Sequence, residues 1–457
     1  MFEDRVAELE ELARLHGLDF YPTSFEVVPF DYMTEVAAYG LPTRARHWSY
    51  GKVYNGQRLY GKMGLSKIYE IVLNNDPGLA FLLDTNPEIA NLLVAAHVFG
   101  HVDFFKNNTL FAPTSRNMVN DAAAHALRID GYIDRYGLET VEHLMDIGFA
   151  LDRHIDPHLG TVRIPYPKRT IVERERIAQP YNDLFSAPTP SVTYEVVGER
   201  IPPRPEHDLL WFLATYATLE PWQQDVLQII REESYYFYPQ FLTKIMNEGW
   251  ASYWHAELFH HWEGVNPEEF IEFAALNAGV VNPGNRLHLN PYYLGYTIFI
   301  DIEKRWDTLH ATGESSLTGR QKIFQVRRDD DISFLRNYLT RELMERLELF
   351  RYDRPCTHPP GKRCPQCEHL VITSREEEEI LTALILPREN YGTPRIVVRD
   401  IVANALYLEH LDRATTFLDR RFTAETLGYI AEIWKYPVYL LTCDQEGKET
   451  NLTARAL

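Results

Sequence analysis

The chain has 457 residues, a formal charge of −19, and 45% apolar and 13% aromatic residues. Such acidity argues against a nucleic-acid-binding face, and no apolar run reaches the roughly 20 residues that span a bilayer. The four cysteines are too few and too clustered for a secreted disulfide framework, so a globular, cytoplasmic protein is expected, without nucleic acid or membrane span.

The first 150 residues read as mostly helical. Phe2 to His16 forms an acidic amphipathic helix with Gly17 at its C-cap, unlike a signal peptide. "SKIYEIVLNN" reads as a second helix. "NPEIANLLVAAHVFGHVDFFKNN" is the clearest, with Asn86 as N-cap and Pro87 in the first turn. Further helices cover Asn117 to Tyr136 and "LETVEHLMDIGFALDRHI". Residues 156–205 carry nine prolines and no helical period, so they read as a surface excursion with short strands at "GTVRI" and "SVTYEVV". Helices return with "DLLWFLATYATL", "PWQQDVLQIIREESYY", the long aromatic "PQFLTKIMNEGWASYWHAELFHHW", two segments opened by Asn-Pro, and Asp331 to Phe350. Residues 351–367 form a Cys/His loop. Beyond it, "HLVITS", "RIVVRDIV", "ALYLEHL" and "PVYLLTCD" read as strands and "REEEEILTALIL" and "DRATTFLDRRFTAETLGYIAEIW" as helices. The expectation is a mainly α protein, with a large helical domain over 1–350 and a small C-terminal α+β domain over 368–457.

Chemistry concentrates on three helices. On an ideal helix His97 and His101 lie about 40° and 6 Å apart, so both imidazoles can converge on one ion. Gly100 between them is costly in a helix interior unless another helix approaches closely. Asp103 falls on another face and suits a salt bridge. Glu248, Ser252 and His255 line one stripe of an aromatic helix. A buried carboxylate needs a partner or a metal, and two histidines with one glutamate make a catalytic zinc set. His255 is too far along the helix to join Glu248 on the same ion and reads as a pocket residue. The alternative is a helix whose polar groups bond nearby backbone. Tyr292 and Glu303 share a face of the third helix. The tyrosine can stabilise an oxyanion, and the glutamate can act as a base or end in solvent. A zinc hydrolase helix normally reads H-E-x-x-H. Here Val98 stands where the glutamate would be. Asp121, His125 and Arg128 read as a salt-bridge group. Cys356, His358, Cys364 and Cys367 have the spacing of a structural zinc knuckle, or form an unligated or redox thiol cluster.

"HVFGHVDFFKNN", "NEGWASYWH" and "NPYYLGYTIFIDIEKRW" resemble the signature segments of the stage V sporulation protein R family. That resemblance implies a role in spore cortex formation, or in stress physiology in bacteria that form no spores. It also implies a serine protein kinase and a von Willebrand-type domain protein as partners. "HVFGH" and "EGWASYW" are further similar to gluzincin peptidases. This second resemblance implies a zincin-like domain with His97, His101 and Glu248 as ligands of zinc or another divalent metal. Two functions follow as expectations. One is a metal-dependent hydrolase acting on a peptide or peptidoglycan-related amide, with His255 or Glu303 replacing the missing base. The other is a non-catalytic scaffold in a kinase complex that keeps a degenerate site.

Overall fold

The most apolar stretch, Ile89 to Phe105, becomes the most deeply enclosed helix. In a computed structural model the helix Glu88–Asn107 is buried on all sides along that run, as expected of a helix without a polar face. The structure describes residues 1–62, 70–158, 160, 162–166, 170–175, 192–197, 201–285, 288–353, 370–413, 416–444 and 446–455. Helices dominate, and a four-stranded sheet stands near the C-terminus.

The chain divides into two units, each discontinuous in sequence. One comprises Met1–Leu138 and Tyr235–Thr393, the other Glu139–Ser234 and Pro394–Leu457. The segment after residue 367 is therefore shared between both units, with 370–393 in the first and the rest in the second.

In the first unit the Glu88–Asn107 helix packs on Lys244–His261, which in turn packs on Pro291–Ala311. Phe99, Trp250, Trp254 and Phe299 fill the space between them with essentially no exposure. A three-stranded sheet lies beside this core. Gly78–Leu83 is its centre, parallel to Thr23–Val28 and antiparallel to Glu70–Leu73. "SKIYEIVLNN" is thus corrected: its described part opens with the strand Glu70–Leu73, with Glu70 opposite Leu82. Adjacent β-branched Ile71 and Val72 favour a strand, and the Asn-Asn-Asp-Pro-Gly run that follows is a hairpin turn.

The cap expected at Asn86 is corrected: Pro87 holds the cap position of Glu88–Asn107, with no side-chain cap bond, and Asn86 Nδ2 donates to Asn91 Oδ1 instead. Asn266 and Asn290 accept hydrogen bonds from the first-turn amides of Pro267–Val280 and Pro291–Ala311. The long aromatic helix is interrupted: Pro221–Leu242 ends just before Thr243, and Lys244–His261 starts anew. The new start is capped from a distance, because the Asp331 carboxylate accepts from the amides of Ile245 and Met246, each at 2.9 Å. The expected helix from Asp331 to Phe350 is likewise two helices, Asp331–Tyr338 and Arg341–Arg346, the second capped by the Thr340 hydroxyl.

In the second unit the strands Ile396–Val402, Ala405–His410, Val438–Cys443 and Glu449–Ala454 pair in that order. The middle pair is parallel, joined by the helix Arg420–Trp434. "SVTYEVV" supplies the strand Val192–Val197, which pairs with Thr170–Glu175. The described residues of "GTVRI" are not in a strand. Among the described residues no helix is long and apolar enough to cross a membrane.

Candidate metal centre

Three helices can bring short side chains together only if their backbones nearly touch. Small residues make that contact here. A Cβ on Gly100 would sit 2.7 Å from the Ala251 Cα, and one on Gly249 would sit 2.3 Å from the Gly295 carbonyl carbon. The sequence cost of Gly100 is therefore explained by helix approach. The seam sets the Glu248 carboxylate against the imidazoles across from it.

His97, His101 and Glu248 are all buried, and their ligand atoms lie within 4.8 Å of one another. Glu248 Oε2 is 3.5 Å from His97 Nε2 and 3.4 Å from His101 Nε2. These are long for strong hydrogen bonds, and both His97 Nε2 and Glu248 Oε2 are buried without a hydrogen-bond partner among the described residues. The other carboxylate oxygen, Oε1, accepts from the Lys244 ammonium one helical turn away.

The outer contacts fix which ring nitrogens carry protons. His101 Nδ1 lies 2.9 Å from Asn247 Oδ1, so it donates there and leaves Nε2 with a lone pair. His255 Nε2 lies 2.8 Å from Asn277 Oδ1 and donates to it. A neutral His255 then has only Nδ1 to accept with, and that atom sits 2.9 Å from His97 Nδ1. His97 therefore donates through Nδ1 and also keeps its lone pair on Nε2. Two imidazole lone pairs and a carboxylate oxygen thus face one another, and among the described residues neither His97 Nε2 nor Glu248 Oε2 has a hydrogen-bond partner. Metal-binding histidines are typically held this way by a hydrogen bond from the ring nitrogen that does not bind the metal.

Electrostatics agree with that arrangement. Burial, reinforced by the neighbouring His101, pushes His97 down to about 4. Burial pushes His255 down to about 3. Burial alone would raise Glu248, but the Lys244 ammonium beside it, together with the two imidazoles it faces, outweighs burial and holds the carboxyl well below its ordinary range.

Tyr292 stacks on the His97 ring at 5.9 Å between centroids. Its phenol is raised by burial and by the charges of Glu248 and Glu70, so it stays protonated and can donate. A cavity of about 420 Å³ opens beside the triad, lined by Glu70, His97, Asn290 and Tyr292 among apolar side chains that include Leu93 and Leu276. Glu70 is the residue that sequence reasoning missed. Its signal was a carboxylate at the start of a hairpin strand, hidden by reading that stretch as helix.

The structure brings His97, His101, Glu248, His255 and Tyr292 together. It does not bring Glu303. The eleven residues from Tyr292 place Glu303 about 16 Å further along the same helix. There Glu303 accepts from the Tyr253 hydroxyl at 2.6 Å and from Arg320 Nε at 2.9 Å, so its oxygens are engaged in an ion-pair cluster that also holds Glu257. Asp103 accepts from Arg327, Trp250 Nε1 and the Asp19 amide, a salt-bridge role. Cys356, His358, Cys364 and Cys367 lie outside the described residues.

A family model described as "SpoVR like protein" matches residues 1–359, a span that contains the whole triad. The chain is also similar to the Escherichia coli (strain K12) protein named "Uncharacterized protein YcgB", 34% identical over 326 residues. That match covers 65% of this chain and 62% of the relative's length. No solved structure matches.

Proposed function

This chain belongs to the SpoVR-like family, and on that footing we propose that it is a zincin-like metalloprotein that hydrolyses an amide, in a peptide or a peptidoglycan-related substrate. The observation that carries this reading is the inward-facing set of acceptors: His97 Nε2 and Glu248 Oε2 are buried without hydrogen-bond partners among the described residues, with His101 Nε2 at 3.4 Å. Desolvated acceptors facing each other cost free energy unless a cation joins them. Nitrogen and carboxylate donors in this ratio suit zinc and leave a coordination position open for substrate. When bound, the ion would polarise the scissile carbonyl. Asn247 and His255 hold the histidine tautomers, Lys244 balances the glutamate, and Tyr292 is placed to donate to a developing oxyanion.

In the cell we propose a cytoplasmic role in sporulation, where the family name points, or in stress physiology, beside a serine protein kinase and a von Willebrand-type domain protein. Val98 supports a second reading, a non-catalytic scaffold in such a kinase complex, because it cannot accept a proton. Elemental analysis of wild type, His101→Ala and Cys364→Ala in parallel tests the metal centre. The expected result is about one divalent ion per chain lost in His101→Ala and kept in Cys364→Ala. A wild-type protein with no ion beyond any held by the cysteines overturns the proposal.

A further inference from the structure

A hydrolytic site needs a group that moves a proton, and the residues closest to the triad are already committed. His255 is engaged on both ring nitrogens, Lys244 is held by Glu248, and Tyr292 keeps its phenolic proton and so cannot serve as a base. Glu303 is clamped by Tyr253 and Arg320.

Glu70 differs from all of these. It lines the cavity together with His97 and Tyr292. Its carboxylate has no hydrogen-bond or salt-bridge partner among the described residues. It stands outside the three residues whose ligand atoms converge within 4.8 Å, yet it shares the cavity wall with one of them, His97. That places it one layer out from an ion held by the triad, where a group acts on a reacting water and not as a ligand. Apart from Asn290 and Gly279 the rest of the lining is aliphatic: Ala90, Leu93, Val94, Ala275, Leu276 and Val280. No positive side chain lines the cavity among the described residues, so it offers nothing to pair with an anionic group.

We propose that Glu70 carries out the proton transfer that Val98 cannot, and that the cavity seats an uncharged aliphatic side chain or acyl group next to the amide that is cut. This rests on reading the triad as a hydrolytic metal site. Glu70 takes one proton from water as the water oxygen bonds to the amide carbonyl carbon. The C–N bond then breaks, its electron pair leaves with nitrogen, and Glu70 returns the proton to that nitrogen. The products are a carboxylic acid and an amine, and Glu70 ends as it began.

The test uses the full chain and three probes: Zn²⁺ alone, acetohydroxamate and isovalerohydroxamate. A hydroxamate gives up a proton to a neighbouring carboxylate when it binds such a centre. Zn²⁺ affinity is read by competition with a chromophoric chelator, and hydroxamate affinity by calorimetry on the zinc-loaded protein. Glu70→Gln is expected to bind Zn²⁺ within about threefold of wild type and to lose about thirtyfold in hydroxamate affinity, the scale of one charge-assisted hydrogen bond. Retained Zn²⁺ affinity also reports that the variant is folded, and Glu70→Asp should recover part of the loss. Wild type is expected to prefer isovalerohydroxamate by roughly tenfold through burial of its extra carbons. If wild type does not bind Zn²⁺, the metal reading itself falls and this inference with it. If wild type binds Zn²⁺ but Glu70→Gln loses that affinity by roughly tenfold or more, Glu70 is a ligand and the proton-transfer role is overturned. Unchanged hydroxamate affinity in Glu70→Gln overturns it equally. Equal affinity for the two hydroxamates removes the aliphatic seat.

Discussion

Asn247 and Asn277 do small jobs with large consequences. Each accepts one imidazole N–H, and together they direct both histidine lone pairs toward Glu248. Replacing Asn247 with Ala leaves His101 free to adopt the other tautomer. Zn²⁺ affinity is expected to fall about 10- to 100-fold with the fold intact, read by chelator competition and circular dichroism. An unchanged affinity would show that the orientation of His101 is set elsewhere. The triad was legible from the chain because spacing of four on one helix, and a lone glutamate on an aromatic helix, are local patterns. Its support was not, since Asn277 and His255 come from different helices and meet only after packing. A separate group reports on acid stability. His154 is pushed down to about 4 by burial and the nearby Arg153 charge. In the unfolded chain it takes up a proton near 6.5, so between these values the unfolded state binds more protons. Stability from this residue is complete above pH 6.5 and is lost as pH falls toward 4. The melting temperature of wild type should drop over that window, and less steeply in His154→Gln. Parallel slopes in the two proteins would dismiss the assignment.

The helices are aligned by contacts that leave no room for a side chain. At Gly249 an added methyl would overlap the Gly295 backbone, and backbone cannot step aside as a flexible side chain can. Gly249→Ala should therefore cost about 3 kcal/mol or more, the upper range of overpacking, and should reduce metal content as the seam opens. Urea denaturation checks the first outcome and elemental analysis the second. A variant as stable as wild type would mean that the helices are not held this tightly. The Lys244–His261 helix is also anchored at its start by Asp331, from a helix more than eighty residues later. Asp331→Ala removes two amide acceptors and leaves Arg388 without its buried partner. A loss of about 1–2 kcal/mol is expected from the cap, with the metal site loosened because Glu248 lies in the first turns of that helix. Element identities were legible where caps and period agreed, as at Asn266 and Asn290. They failed at Glu70–Leu73, where a short apolar run gave no period long enough to separate strand from helix. That single misreading concealed the carboxylate that the cavity presents.

At the scale of the whole chain, the site belongs to one unit, while residues 139–234 and 394–457 form the other. The two segments of the second unit need each other. Glu206 and Val398 exchange backbone hydrogen bonds at 3.0 and 2.8 Å, and Phe212 stacks on Trp434. A chain ending at residue 393 should lose hydrogen-exchange protection and gain protease cleavage across 201–234. Unchanged protection would mean that this segment is stable without the sheet. No pattern along the sequence announces such a division, because the strands and helices of each segment look complete and only their packing joins them. The same arrangement sets a schedule for synthesis. Residues 139–234 leave the ribosome roughly 160 residues before the first of their partners, which at about 5–20 residues per second is roughly ten to thirty seconds. For that interval Phe212 lacks Trp434 and Glu206 lacks Val398, and the growing chain is exposed to aggregation until the later helix and strands arrive.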